Sequence, residues 1–254
     1  MIGAVPALLA LAFLITALLY ASVGFGGGST YAALLAISGL DYRLLPMVAL
    51  ACNIVVVAGG TVRFARAGII PWRAALLMTA FAAPAALLGG LTPIGEGSFM
   101  LLLGASLVLT AITMLIPVRE GQKMVADGPS RVAAAMPVIA APLGYLAGLV
   151  GIGGGIFLAP LLHLTRWKDA RAIAATASLF ILVNSMFGLI GQLIKQGPGA
   201  FGGAIGAALP LLIAVAIGGQ IGSLMAVKVL PGRWIRWLTA ALVLVVGVRL
   251  LAES

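Results

Sequence analysis

The sequence has very little charge: only 8% of its 254 residues are Asp, Glu, Lys or Arg, whereas 63% are hydrophobic. Soluble domains carry about 25% charged residues, so this chain could not cover a water-exposed surface with polar side chains. It also contains a single cysteine, Cys52, and a single histidine, His163. These counts exclude an internal disulfide and leave too few ligands for a typical zinc site. The sequence therefore predicts neither a water-soluble domain nor a metal-binding one.

Glycine and long apolar runs are what the chain has instead. Its 34 glycines show no three-residue period, which excludes collagen, and they lie within hydrophobic stretches. A transmembrane helix needs about 20 apolar residues. Eight stretches approach this length: residues 3–23, 44–62, 71–91, 98–116, 132–149, 171–193, 201–226 and 234–251. The chain is therefore predicted to be an all-α integral membrane protein.

Two glycine-rich breaks interrupt this series of spans. The sequence G-F-G-G-G at 24–28 precedes a short apolar segment at 29–38, and G-I-G-G-G at 151–155 precedes another at 156–165. A helix of about ten residues is about 15 Å long, which is half of a hydrocarbon core of about 30 Å. Each short segment is therefore predicted to form a half-span helix that begins near the middle of the membrane.

The two halves of the chain repeat each other. The glycine block recurs at a spacing of 127 residues, Asn53 and Asn184 are 131 apart, and Gly89-Gly90 precede Gly218-Gly219 by 129. Such similar spacings indicate an internal duplication, with about five helical segments in each copy. The predicted organisation is an N-terminal transmembrane repeat at 1–116, a cytoplasmic linker at 117–131 and a C-terminal repeat at 132–254.

The basic residues fix the orientation of the two copies. Because five segments is an odd number, the second copy starts on the opposite side of the membrane from the first. With the linker in the cytoplasm, the three basic residues outside are Arg43, Lys195 and Arg249, and the twelve inside are Arg63, Arg66, Arg73, Arg119, Lys123, Arg131, Arg166, Lys168, Arg171, Lys228, Arg233 and Arg236. This bias follows the positive-inside rule and predicts inverted-topology repeats, which are typical of secondary transporters. It also accounts for the net charge of +9, so we expect no nucleic-acid partner.

The first turns of the two short helices are the predicted binding site. Their N–H groups have no intrahelical acceptor, and a helix N-terminus carries roughly half a positive charge, so an anion binds there without a basic side chain. Glycine lets the backbone approach the ligand closely and adopt positive φ. The candidate substrate-binding residues are Gly26, Gly27, Gly28, Ser29, Thr30, Asn53, Gly153, Gly154, Gly155, Ile156 and Asn184.

Each of these features also has a purely structural interpretation. Glycine blocks allow tight crossings between membrane helices. The amides of Asn53 and Asn184 can equally serve as hydrogen-bond partners between helices. The second copy has apolar residues at 156–157 where the first has Ser29 and Thr30. We therefore expect the first copy to supply most side-chain contacts and the second mostly backbone.

The sequence carries no signature of an enzyme. It has no G-x-x-x-x-G-K nucleotide loop and no paired nucleophile and general base, so we expect no catalytic residue, no cofactor and no metal. Asp41, Glu96 and Asp169 fall at loops, so no span contains an acidic residue that could relay protons. Any energetic coupling would then depend on the membrane potential, on the substrate's own proton or on an ion bound to backbone carbonyls.

The G-F-G-G-G-S at 24–29, the G-I-G-G-G at 151–155 and the duplicated layout resemble the TauE/SafE family, also called the sulfite exporter or 4-toluenesulfonate uptake permease family. The resemblance spans essentially the whole chain. It implies a multi-pass secondary transporter of the bacterial plasma (inner) membrane, working by alternating access on sulfite, a sulfonate or a related organic anion. The alternative function is a passive anion channel. Besides the anion and the lipid bilayer, a homodimer is a partner that the sequence allows.

Overall fold

The computed structural model describes residues 7–22, 24–115, 131–165, 167–225 and 232–253, and in these ranges the chain forms ten α-helices and no strand. The helices are α1 Ala7–Ala21, α2 Gly28–Ile37, α3 Leu45–Arg66, α4 Trp72–Leu91, α5 Glu96–Leu115, α6 Arg131–Val150, α7 Gly155–Leu164, α8 Ala170–Gln196, α9 Pro198–Met225 and α10 Gly232–Glu253. The predicted all-α fold is confirmed. The linker predicted at 117–131 lies outside the described residues, except for Arg131 at the start of α6.

At the helix ends that lie within the described ranges, the predicted boundaries agree with the structure to within four residues; the predicted start of the first span, at residue 3, lies outside those ranges. The largest difference is at the end of α3, which continues to Arg66 instead of ending at residue 62. This extension adds Arg63 and Arg66 to the last turn of the helix. Basic side chains are favourable there because they complement the partial negative charge of a helix C-terminus. Two of the basic residues that were predicted on the cytoplasmic side thus belong to the end of a helix.

The outer surface of the described residues is apolar. Leu8, Val138 and Val245 are all more than 60% exposed, and large exposed hydrophobic side chains occur on most of the helices. Four helices, α3, α4, α5 and α8, are long and apolar enough to cross a membrane. A surface of this kind is stable against lipid hydrocarbon and unstable against water. The chain is therefore a multi-pass membrane protein.

Helices α3 and α8 form the centre of the molecule and run antiparallel. Thr61 Oγ1, near the end of α3, lies 2.8 Å from Ser178 Oγ, near the start of α8. Farther along α8, a methyl carbon added at Gly188 would lie 3.4 Å from Leu50, which is near the start of α3. α3 also packs on α9, and α8 packs on α4. The middle of both central helices is thus enclosed on several sides.

The outer helices pack in pairs across the two halves of the chain. α1 packs on α9, α6 packs on α4, and α5 packs on α10. The first two pairs cross at glycines: a methyl carbon at Gly148 would overlap the carbonyl of Ala86, and one at Gly222 would overlap the carbonyl of Leu18. Such small residues let membrane helices approach closely, which strengthens van der Waals packing where lipid offers no hydrophobic driving force.

The two short helices lie inside this frame. α2 contacts α3 and α10, and α7 contacts α8 and α5. Tyr31 of α2 is fully buried, and its ring stacks on Phe13 of α1 with a centroid distance of 4.8 Å. Because the breaks that precede α2 and α7 are also enclosed, the first turns of both helices face the interior of the protein.

Candidate functional site

Each short helix begins after a glycine in the left-handed conformation. Gly27 has φ 85° and stands before α2, and Gly154 has φ 74° and stands before α7. Only glycine adopts this backbone without strain. The left-handed residue redirects the chain after the preceding long helix, so that the N–H groups of the new helix's first turn are not used by the old one. Both breaks thus present unpaired backbone donors inside the protein.

Asn53 of α3 lies between the two breaks. A methyl carbon at Gly26 would lie 2.6 Å from Asn53 Oδ1, and one at Gly153 would lie 2.7 Å from Asn53 Nδ2. At Gly28 a methyl carbon would overlap both the Asn53 amide and the carbonyl of Ile152. The structure therefore brings four of the predicted residues to one place: Gly26, Gly28 and Asn53 from the first half of the chain and Gly153 from the second.

The amide of Asn53 is only partly satisfied. Its Nδ2 donates to the carbonyl oxygen of Ile152 at 3.2 Å, which ties α3 to the second glycine break. Its Oδ1 has no hydrogen-bond partner, although the side chain is fully buried. A buried acceptor without a donor is unfavourable unless a ligand or water supplies one. The NH₂ group of this amide thus has a structural role, whereas its carbonyl oxygen is free to accept a hydrogen bond from a ligand.

A small cavity lies at this point. It is lined by Tyr20, Phe25, Gly26, Gly27, Gly28, Asn53, Ile152, Ile156 and Ile181, and has room for about one water molecule. None of these lining side chains is a Lys, Arg, His, Asp or Glu. Its electropositive character would come from the helix N-termini, each worth roughly half an elementary charge.

Ser29 and Thr30 lie in the first turn of α2, beside the cavity but not among its lining residues. The hydroxyls of Thr30 and Tyr20 are 2.9 Å apart, which links α2 to α1. The Ser29 hydroxyl is buried and has no hydrogen-bond partner. In the second half, a methyl carbon at Gly155 would overlap the side chain of Ile181. The two first turns are therefore alike in backbone and different in side chains.

Asn184 is placed differently from Asn53. It is fully buried in α8, and neither its Oδ1 nor its Nδ2 has a hydrogen-bond partner, but it does not line the cavity. On α8, the side chain of Ile181 lies close to Gly26, Gly153 and Gly155, and the buried, unpartnered hydroxyl of Ser185 would lie 3.2 Å from a methyl carbon at Gly153. The structure thus brings Asn53 to the cavity with the glycines of both breaks and leaves Asn184 beside it on α8.

Four of the residues that line the cavity were not among the predicted ones. Phe25 and Ile152 are the non-glycine members of the two breaks, so the breaks themselves could have indicated them. Tyr20 carries one of the two side-chain hydroxyls of α1, shortly before the first break. Ile181 gives no signal, because it is an apolar residue within an apolar helix.

Comparisons with known proteins agree with this architecture. The family model described as "Sulfite exporter TauE/SafE" matches residues 8–250. "Probable membrane transporter protein y4hK" of Sinorhizobium fredii (strain NBRC 101917 / NGR234) is 37% identical over 246 residues, which are 96% of this chain and 97% of that protein. "Probable membrane transporter protein YunE" of Bacillus subtilis (strain 168) is 24% identical over 223 residues, 74% of this chain and 82% of that protein. No solved structure matches the chain. The chain belongs to the TauE/SafE family and is a membrane transporter.

Proposed function

We propose that this protein is a secondary transporter that moves a small organic or sulfur-containing anion, such as sulfite or a sulfonate, across a bacterial plasma membrane by alternating access. The observation that carries the proposal is the meeting of both glycine breaks at Asn53, in a cavity that no charged side chain lines. Unpaired N–H groups at helix N-termini bind oxyanions. Without a fixed cationic side chain the binding stays weak enough for release.

The helix contacts support an inverted repeat in which α1–α5 correspond to α6–α10. α1 packs on α9, and correspondingly α6 packs on α4. α2 contacts α3 and α10, and correspondingly α7 contacts α8 and α5. The corresponding helices α3 and α8 run antiparallel, as repeats of opposite orientation require. In transporters built from inverted repeats, the substrate site lies at the interface of the repeats, near the membrane midplane.

Polar contacts join neighbouring helices at both ends of the central helices. At one end, which we call the inner latch, Arg63 of α3 donates to Gln220 Oε1 at 2.7 Å and to Ser223 Oγ, both on α9. At the other end, the outer latch, Lys195 of α8 donates to the carbonyl oxygen of Thr92, next to α4, at 3.3 Å. The two latches join corresponding pairs of helices, α3 with α9 and α8 with α4.

A cavity this small, between polar contacts that join the helices at both ends, supports a carrier over a channel. An open channel needs a continuous polar pathway across the membrane. Here the cavity has room for about one water molecule and lies between two closed latches. An anion of the size of sulfite would enter only if the helices around Asn53 separated. This separation, first at one end and then at the other, is the movement that alternating access requires.

The proposal is tested with purified protein in liposomes and labelled sulfite, methanesulfonate and acetate. We expect saturable uptake, and exchange against unlabelled anion, for at least one of them. Asn53→Ala should weaken its apparent affinity by about 1–3 kcal/mol because a buried polar contact to the anion is lost. Thr79→Val is the matched control, since the Thr79 hydroxyl donates to Ala75 within its own helix, away from the cavity.

Two other outcomes would contradict this proposal. Single-channel currents without saturable exchange would identify an anion channel. The absence of any anion flux, in protein that is folded and inserted, would remove anion transport altogether.

A further inference from the structure

The direction of the Asn53 amide is fixed by its neighbour on the second break. One end of the amide faces the carbonyl oxygen of Ile152 at 3.2 Å, and only the NH₂ group can stand there, because a carbonyl cannot donate. An inverted amide would bring two carbonyl oxygens together. The end that faces Gly26 is therefore the acceptor, Oδ1, which a methyl carbon at Gly26 would approach to 2.6 Å.

The lining of the cavity offers this acceptor no side-chain donor. Phe25, Ile152, Ile156 and Ile181 are apolar, and the hydroxyl of Tyr20 lies 2.9 Å from that of Thr30 and makes no hydrogen bond to Asn53 Oδ1. Asn53 Oδ1 is accordingly buried without a hydrogen-bond partner. Since such an atom is costly to leave unpaired, a ligand that donates to it gains affinity over one that cannot.

The same cavity also presents donors. The N–H groups at the start of α2 and α7 lack intrahelical acceptors, apart from that of Phe157, which donates to the carbonyl oxygen of Gly154 at 3.1 Å, and the positive ends of both helices favour an anion. A ligand that satisfies the whole site thus needs anionic oxygens for the helix ends and one hydrogen-bond donor for Asn53. A fully deprotonated oxyanion without a hydroxyl supplies only the first of these.

We infer that the transported anion carries its own O–H group and that Asn53 Oδ1 accepts a hydrogen bond from it, which makes Asn53 a specificity-determining residue. This inference rests on the proposed function, since it concerns the substrate of the same cavity. Two kinds of molecule have this chemistry. One is a protonated inorganic oxyanion such as hydrogensulfite, and the other is a hydroxyl-bearing organic anion such as a hydroxyalkanesulfonate.

Binding to the purified protein, measured by calorimetry, tests the inference with two pairs of anions of equal size. Hydrogensulfite, in mildly acidic buffer, is compared with methanesulfinate, which has a methyl group in place of the hydroxyl. 2-Hydroxyethanesulfonate is compared in the same way with propane-1-sulfonate. We expect the hydroxyl-bearing member of at least one pair to bind about fivefold more tightly or better. The pair that discriminates identifies the source of the O–H group.

The protein contributes little of its own to the pH dependence of such a comparison. Among the lining residues Tyr20, on α1, is the one titratable side chain, and the lining from α2, α3, α8 and the second break adds none. Methanesulfinate, which does not change its charge under these conditions, controls for any effect on the protein. Its affinity should be the same in mildly acidic and mildly alkaline buffer, whereas that of total sulfite should fall in the alkaline one.

Substitution of Asn53 assigns the discrimination to its amide. In Asn53→Ala the ratio of affinities within the discriminating pair should fall to about one, while Thr79→Val should keep the wild-type ratio. If the two anions of each pair bind the wild type equally, or if the affinity ratio is unchanged in Asn53→Ala, the inference is wrong, but the proposed anion transport is not affected. If Asn53→Ala does not fold, the wild-type ratios decide. If no anion binds at all, the proposed function fails and this inference fails with it.

Discussion

Gly28 is the residue at which the two halves of the chain approach each other most closely around the cavity. It is the first residue of α2, and a methyl carbon there would overlap the Asn53 amide and the carbonyl of Ile152. Those two groups are hydrogen-bonded to each other across the halves at 3.2 Å. The absence of a side chain at Gly28 thus makes room for the hydrogen bond that joins α3 to the second break.

Gly28→Ala should therefore impair transport with only a limited effect on folding. The added methyl group pushes Asn53 and Ile152 away from the cavity, and overlaps of this kind cost about 1–3 kcal/mol. We expect anion transport in liposomes to fall about tenfold or more, while the amount of protein in the membrane stays close to that of the wild type.

Gly60→Ala is the matched control, because a methyl carbon at Gly60 would lie 3.7 Å from Ser178 Oγ, an ordinary contact distance. This variant should retain transport to within about twofold, since it also replaces glycine in a helix interior with a better helix former. Equal loss in both variants would show that the effect at Gly28 is a general consequence of losing a glycine.

The role of the two asparagines shows where sequence reasoning stopped. Asn53 and Asn184 match in sequence at a spacing of 131, whereas the glycine breaks match at 127. In the structure the α8 side chain that lies against both breaks is that of Ile181, which is 128 positions after Asn53. Two residues three positions apart in an α-helix point to nearly the same side, but they lie almost one helical turn apart along the axis. A single sequence does not show which position along α8 lies beside the cavity, because this depends on how the two halves of the chain pack together.

At the scale of the helices, the glycine breaks could be predicted from the sequence, whereas the packing partners of each helix could not. The left-handed residues at Gly27 and Gly154 need glycine, so the start of each short helix is written in the local sequence. The lengths of the long helices follow from hydropathy for a similar local reason. That α1 packs on α9 and α6 on α4 depends on glycines that occur in nearly every helix, and several alternative pairings would use them equally well.

The inner and outer latches are the elements that would have to open in turn. Arg63 reaches α9 at the end that the positive-inside rule places in the cytoplasm, and Lys195 reaches the end of α4 on the opposite side. Hydrogen bonds to charged groups are stronger than neutral ones, so each latch favours the closed state of its own end. Removal of one latch should shift the protein towards opening at that end.

Thiol labelling can measure this shift, because Cys52 is the single cysteine of the chain and can be replaced. In a Cys52→Ala background, Ile156→Cys places a reporter in the lining of the cavity. Arg63→Met should raise its labelling by a membrane-impermeant maleimide from the cytoplasmic side, and Lys195→Met from the outside. Loss of a charge-assisted hydrogen bond predicts an increase of about two- to tenfold in each case.

The background protein without a latch substitution sets the baseline for labelling from each side. If both latch variants increase labelling from the same side, the two ends are not opened separately and the latch assignment is wrong. Unchanged labelling in both would mean that these contacts do not hold the ends closed.

For the molecule as a whole, the distribution of acidic residues limits how transport can be coupled to energy. Within the ten described helices the acidic residues are Glu96 and Glu253, and both stand at helix ends. A proton-coupled carrier commonly uses a carboxylate or histidine within its spans as a relay. In the described part of this chain the anion would instead cross with its own charge, balanced by backbone dipoles alone.

The membrane potential should then drive the anion directly. Moving one elementary charge across 100 mV is worth about 2.3 kcal/mol, so an inside-negative potential favours the exit of a monovalent anion and opposes its entry. In liposomes with an imposed potassium diffusion potential, we expect efflux of the monovalent substrate to rise with the inside-negative voltage and to be independent of sodium. Asn53→Ala should lower this flux without changing its voltage dependence, because the amide contributes no charge. If the flux ignores voltage but rises with a sodium or proton gradient at zero potential, the protein is an electroneutral symporter, and the carbonyls of its glycine breaks become the first place to look for the bound cation.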